Sequence, residues 1–146
     1  MEMITMNQLE EETTPGIDFD RMTKIAESGQ QVVPVVLQND DSREVLFIAY
    51  ANREALEETL RTRRAVLWST SRNELWRKGE TSGDVLELVA VRVNCEQNSL
   101  LYLVNSKTGA ACHTRDQLGR NRPTCYYRQF KVDDGGTKLS FVENTA

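Results

Sequence analysis

Glu44-Val45-Leu46-Phe47-Ile48-Ala49-Tyr50, followed after Ala51 by the run Asn52 to Thr62 (NREALEETLRT), decides the fold class of this chain. The first seven residues are nearly continuously apolar and read as a central strand. The run that follows reads as a helix over Arg53–Thr62. Asn52 can cap it, and Glu54 in its first turn and Arg61, Arg63 and Arg64 near its end suit the helix dipole. Ala55, Leu56 and Leu60 form its apolar face. Upstream, Val32–Leu37 reads as a strand, at an edge or starting near Pro34, which has no N–H to donate. Asn39-Asp40-Asp41-Ser42 is the turn between the two strands. A short helix over Phe19–Ala26 would stop at Gly29. Downstream, Ala65–Ser69, Asp84–Val93, Ser99–Asn105 and Cys125–Val132 read as strands. Glu96-Gln97-Asn98 forms a turn between the second and third of these. Within Asp84–Val93 the apolar positions are Val85, Leu88 or Val89, Val91 and Val93. The sum is α+β: a small β-rich single domain with one main helix. The expected organisation is a flexible acidic N-terminal arm over 1–18, a domain over 19–132, and a C-terminal tail over 133–146 with a short strand at Leu139–Val142.

The chain has 146 residues, 39% of them hydrophobic and 27% charged, as in an ordinary globular protein. A net charge of −4 gives no overall field for nucleic acid. No apolar run is long enough for a membrane span, and the N-terminus shows no basic region followed by an apolar one. Three cysteines cannot all pair within one chain, which favours a reducing cytoplasm and free or metal-bound thiols.

Those cysteines, with the single histidine, gather in the second half: Cys95, Cys112-His113 and Cys125, separated by sixteen and twelve residues. Thiolates and imidazole are ligands that zinc prefers, and three protein ligands leave a fourth position open. A free cysteine also packs as a small buried hydrophobe, and neither spacing is a zinc-finger knuckle. If Cys112-His113 is extended, its two side chains point to opposite faces, so His113 does not ligate the same metal as Cys112. A lone histidine is more often structural, and next to a metal it is a candidate proton-transfer group. The stretch Trp76-Arg77-Lys78-Gly79-Glu80-Thr81-Ser82-Gly83 reads either as a hairpin loop in solvent or as an anion cradle of backbone N–H groups, hydroxyls and basic side chains. Arg115, Arg120, Arg122 and Arg128 form a second basic cluster, which reads equally as a solvent-facing charged loop or as a group suited to phosphate oxygens.

Four motifs in order, Ala49–Leu56 (AYANREAL), Leu67–Arg72 (LWSTSR), Leu75–Gly83 (LWRKGETSG) and Ala111–Thr114 (ACHT), resemble phosphoribosyl-AMP cyclohydrolase. The likeness runs from about Val32 to Phe130. It implies an enzyme of histidine biosynthesis that hydrolyses the N1–C6 bond of the adenine ring in phosphoribosyl-AMP. It implies a homodimer with zinc held by cysteines of both subunits, matched here by Cys95, Cys112 and Cys125. It implies His113 as the group that moves a proton. Trp76, Lys78, Gly79, Glu80, Thr81, Ser82, Gly83, the following Asp84, and Arg115 become the contacts for a phosphorylated purine-like substrate.

The chain departs from that pattern in three places. Asp84 stands where the family has histidine. Asn94-Cys95-Glu96-Gln97-Asn98 replaces an acidic triplet proposed to bind magnesium, so Asn94, Glu96 and Asn98 offer one carboxylate in place of three, and a hard cation wants charged oxygens. The stretch from Thr114 to Cys125 is longer than the family pattern. These changes leave two alternatives open beside the named reaction: a paralogue acting on another cyclic amidine, and a non-catalytic zinc-binding dimer.

Overall fold

The computed structural model describes residues 6–146. Its main sheet has four strands in the order β2-β1-β6-β5, with β1 at Val33–Asn39, β2 at Val45–Ala51, β5 at Leu86–Val93 and β6 at Leu100–Ser106. β1 and β2 form an antiparallel hairpin. At its turn the Asn39 carboxamide oxygen accepts from the N–H groups of Asp41 and Ser42 at 2.9 and 3.0 Å. β1 runs parallel to β6, and β5 antiparallel to it. The apolar stretch read as a central strand is therefore β2 at the edge of this sheet. Its face with Phe47, Ala49 and Ala51 is covered by α3 (Arg53–Thr62) and by the hairpin of β3 (Val66–Ser69) and β4 (Glu74–Arg77), with the rings of Phe47 and Trp76 5.8 Å apart, while Ile48 is exposed. Pro34 sits in an interior strand, yet pairing with β6 begins only at Val35, so the strand starts near Pro34 and its missing N–H is not needed.

α3 begins as expected, with the Asn52 side chain accepting from Ala55 N at 2.9 Å. It ends in a left-handed Arg63 at φ 61°. Thr59, fully buried, ties the helix to β3 by accepting from Val66 N at 2.9 Å. The backbone of residues 63–65 then bonds to β5, Ala65 N to Leu86 O and Leu88 N to Arg63 O, both 2.9 Å, so the β3–β4 hairpin packs beside the main sheet. The broken alternation at Leu88 and Val89 is a β-bulge between Leu88 and Ala90, which turns Val89 outward. Val35, Leu37, Leu67, Leu86, Tyr102 and Val104 make the fully buried centre.

Two expectations change at the chain's ends. The strand expected over Cys125–Val132 starts later, as β7 at Arg128–Asp133, and pairs with β8 at Gly136–Phe141. Thr124 and Cys125 are held elsewhere: the Thr124 hydroxyl donates to Val45 O, and Cys125 N to Leu46 O, both at 2.7 Å. The N-terminal segment expected to be a flexible arm is docked. Residues Met6–Glu11 form α1, and Arg21–Glu27 form α2. Leu9, Glu10, Glu12 and Thr13 give their carbonyls to the Arg128 guanidinium, the Tyr127 hydroxyl, Arg128 again and Leu139 N, at 2.6 to 2.8 Å. Glu10 and Glu11 there find His113 and Arg122 as partners rather than solvent. Residues 1–5 of that arm lie outside the described residues. Among the described residues no helix is long and apolar enough to cross a membrane.

Candidate active site

The segment Ala111–Thr114 is irregular, and it is stitched to Arg122. Ala111 N and Cys112 N both donate to Arg122 O, at 3.2 and 2.9 Å, and Arg122 N donates to Thr114 O at 3.0 Å. This pairing closes the long 114–125 stretch into a loop. With Cys125 anchored on β2, it brings the Cys112 and Cys125 thiols into hydrogen-bonding reach. The Cys112 thiol is held down at about 5 by the hydrogen bond from Cys125 and by Thr114, whose hydroxyl is 3.0 Å from its sulfur, against the effect of burial. Cys125 is pushed up by its neighbour Cys112, toward which its thiol donates. Two neighbouring cysteine sulfurs form a donor pair suited to a borderline-soft dication such as zinc.

The same loop divides its two neighbours in sequence. Cys112 points inward and is buried, whereas the His113 side chain is 77% exposed. The opposite orientation expected for an extended segment is reached here without a strand. His113 and Cys125 line one cleft of about 320 Å³ with Phe47, Ile48, Trp76, Lys78, Ala111 and Tyr126. Lys78 is buried at its wall, and burial lowers its ammonium, opposed by Asp84 and the two cysteines.

Lys78 reaches the cleft from the turn after β4. Gly79 holds that turn at φ 85°, and a Cβ there would strike the backbone of Asp84 and Val85. Gly83 N closes it on Gly79 O at 2.8 Å. Glu80, Thr81, Ser82 and Gly83 lie exposed at its tip. Asp84 is buried, and its carboxylate accepts from the Thr108 hydroxyl at 2.8 Å and the Asn121 amide at 3.1 Å. Arg115 is placed apart. With Glu11, Asp116, Gln117, Arg122, Phe141 and Ala146 it lines a different concavity, away from His113.

Cys95 is also placed apart. It is exposed after β5, one edge strand of the main sheet, while Cys125 is bonded to β2, the other edge. Three strand spacings of about 4.8 Å separate those edges by roughly 14 Å, against metal–sulfur bonds of about 2.3 Å. Among the described residues no three ligand side chains of one chain converge. The concavity on the Cys95 side, about 1000 Å³, is lined by Val93, Gln97 and Leu100 together with Trp68 and the start of α3.

The altered triplet does not suit magnesium. The Asn94 side-chain oxygen accepts from Asn98 N and Ser99 N, both at 2.9 Å, and its amide donates to Asn98 Oδ1 at 2.6 Å. The Asn98 amide in turn reaches Glu96 at 3.3 Å. The three side chains hold a turn together with their own hydrogen bonds.

Sequence reasoning missed three parts of this site. Phe47, Ile48 and Tyr126 were read as strand residues and form its apolar wall. Arg122, grouped with solvent-facing arginines, is the largest fully buried side chain. Glu10 was assigned to the arm, yet its carboxylate lies 2.8 Å from His113 Nε2. A hint existed in composition: an acidic run at one end and four arginines near the other.

Residues 47–127 match the family described as phosphoribosyl-AMP cyclohydrolase, a span that contains Cys95, Cys112, His113 and Cys125. The chain is similar to the histidine biosynthesis bifunctional protein HisIE of Thermus thermophilus, at 49% identity over 111 residues, 76% of this chain and 48% of that protein. It thus spans about half the length of that relative. It is 46% identical to the phosphoribosyl-AMP cyclohydrolase of Archaeoglobus fulgidus over 70% of this chain and 89% of the relative. With that of Alkalilimnicola ehrlichii it shares 44% identity over 84% of each.

Proposed function

The chain belongs to the phosphoribosyl-AMP cyclohydrolase family, and on that premise we propose that it opens the adenine ring of phosphoribosyl-AMP at N1–C6, with zinc held between two copies of the chain. It is an enzyme, a hydrolase acting on a cyclic amidine, and histidine biosynthesis is its setting. The observation that carries the reading is the meeting of Cys125, His113 and Lys78 at one cleft, with the buried Cys112 beside Cys125.

In this reading Cys112 and Cys125 are two zinc ligands, and Cys95 of a second copy is the third. What supports the sharing is the separation of Cys95 from the other two by the width of the sheet. When bound, zinc supplies the Lewis acidity that makes water nucleophilic near neutral pH. His113, at the rim of the cleft, carries the proton from attacking water toward the leaving ring nitrogen. Trp76 and Phe47 give the purine an aromatic wall. Lys78 and the hydroxyls of Thr81 and Ser82 at the exposed tip of its turn hold phosphate oxygens. Unpaired thiols suit a reducing cytoplasm.

A second reading is favoured by Asp84 and by the self-satisfied triplet Asn94, Glu96 and Asn98: a paralogue that hydrolyses another phosphorylated cyclic amidine. Zinc-loaded protein assayed with phosphoribosyl-AMP beside a panel of purine and pyrimidine nucleotides separates the two. Ring opening of phosphoribosyl-AMP alone supports the first reading, and turnover of a different nucleotide supports the second. Stoichiometric zinc without any turnover would replace both with a non-catalytic dimer.

A further inference from the structure

We propose that Glu10 is a positioning residue for His113, so that the N-terminal segment is part of the active site. The inference rests on the reading of His113 as the group that moves a proton. His113 stands on an irregular loop with its side chain 77% exposed. An imidazole so placed samples several rotamers and both neutral tautomers. Among the described residues its one hydrogen-bond partner is Glu10, whose carboxylate oxygen lies 2.8 Å from Nε2. A carboxylate only accepts. The contact therefore selects the neutral tautomer with the proton on Nε2 and leaves the lone pair of Nδ1 free.

An orienting group must itself be held, and Glu10 is. The Tyr127 hydroxyl donates to its carbonyl at 2.7 Å. On either side, Leu9 O and Glu12 O accept from the Arg128 guanidinium at 2.6 and 2.8 Å. Glu11 accepts two hydrogen bonds from Arg122, at 2.8 and 3.0 Å. Arg122 is in turn fixed by its bond to Thr145 O at 2.7 Å and by the Tyr127 ring, whose centroid is 4.0 Å from its guanidinium. The carbonyl of the same Arg122 receives Ala111 N and Cys112 N. One buried arginine thus fixes both partners, the helix end that carries Glu10 and the loop that carries His113. Glu10 lies outside the span 47–127 that matches the family, so this device is an addition to the matched core.

His113 is the only histidine of the chain, so its ring nitrogens give unambiguous 15N signals. The test compares the unmodified protein, Glu10→Ala, and Glu12→Ala, which removes the same charge from an exposed neighbour. At a pH where the imidazole is neutral, the unmodified protein and Glu12→Ala should show the Nε2–H tautomer, and Glu10→Ala a mixture. In zinc-loaded protein Glu10→Ala should lose roughly tenfold in kcat and change KM within about twofold, with zinc content unaltered. An identical tautomer distribution in the unmodified protein and Glu10→Ala would overturn the proposal. So would an effect confined to KM. If the unmodified protein fails to open phosphoribosyl-AMP, the substrate reading falls, and the 15N spectrum alone decides for or against Glu10.

Discussion

The carboxylate of Asp84 accepts a hydrogen bond from the side-chain amide of Asn121 at 3.1 Å, joining the turn after β4 to the middle of the long 114–125 loop. Its other oxygen takes the Thr108 hydroxyl at 2.8 Å. Asp84 was expected among the substrate contacts because it stands where the family has histidine. In the folded chain its two oxygens serve the protein. A carboxylate can accept from two directions where a neutral imidazole accepts from one. Asp84 and the loop residue Asn121 are therefore parts of one hydrogen-bonded contact within the protein.

Asp84→Ala should destabilise the protein by about 1 kcal/mol, since it removes the acceptor of two part-buried hydrogen bonds. Asp84→Asn keeps one acceptor and should cost less. Urea unfolding of Asp84→Ala, Asn121→Ala and the double variant gives the coupling, expected to be at least about 0.5 kcal/mol. Strictly additive effects would mean that the two residues do not act on each other.

The docking of α1 should be acid-sensitive. Hydrogen bonds from Arg122 hold the Glu11 carboxyl below its ordinary value near 4.5, and attraction to Arg122 and Arg128 adds to this. A lowered folded-state value means that the contribution is complete above the unfolded value. It is lost as the pH falls through the folded one. Amide hydrogen exchange at Leu9–Thr13 should therefore accelerate, relative to β1 and β6, between neutral pH and about pH 3. Glu11→Gln should remove most of that difference by exchanging quickly at every pH. Equal protection of the segment across the range would show that the ion pair does not hold it.

The elements legible in the sequence were those set by local rules. Asn52 caps α3 where its side chain predicts, and the strands from Val33 to Ser106 follow their apolar runs. What the sequence hid depended on distant partners. β2 reads as central because its run is nearly continuously apolar, yet it lies at the edge of its sheet, and Ile48 on its second face is exposed. The pattern of apolar residues reports burial, not hydrogen bonding. β4 disappeared into a loop because four residues between two turns carry too little periodicity. The cysteines and His113 were visible by type, but their grouping was not. Cys112 meets Cys125 only because Arg122 O takes two N–H groups from Ala111 and Cys112. Glu10 was invisible as a site residue because the residue it meets lies 103 positions away.

Magnesium should have little effect on the rate. Asn94 and Asn98 spend their oxygens on backbone N–H groups and on each other, and a hard dication offered neutral amides gains little over its hydration shell. Titration of Mg2+ at fixed zinc should leave the rate flat. Asn94→Asp with Asn98→Asp restores the charge and breaks the 2.6 Å bond between the two side chains. That variant should bind Mg2+ more tightly by calorimetry while losing about 1 kcal/mol of stability from the turn. A saturable magnesium requirement in the unmodified protein would contradict the reading of this triplet.

If Cys95 completes the zinc site of a second copy, defects at the two ends of the sheet should complement each other. Cys95→Ser spoils the ligand that a chain would lend, and Cys112→Ser spoils the ligand that it would keep. Each variant alone, dimerised with itself, has two damaged sites and should lose most of its zinc and activity. Unfolded together and refolded as an equal mixture, half of the dimers should contain one chain of each kind. In such a dimer one site combines Cys112 and Cys125 of the first chain with Cys95 of the second, all intact, and the other site carries both defects. About a quarter of all sites should then be whole, given random pairing of a two-fold dimer. Zinc content and ring-opening rate should both rise toward about one quarter of the unmodified level on mixing. A site built from one chain predicts no rescue, because no pairing repairs a damaged ligand within its own chain. Since Cys95 and Cys125 flank opposite edges of a four-stranded sheet, rescue is the expected result. Its absence, with dimers shown by sedimentation to have exchanged, would remove Cys95 from the metal site.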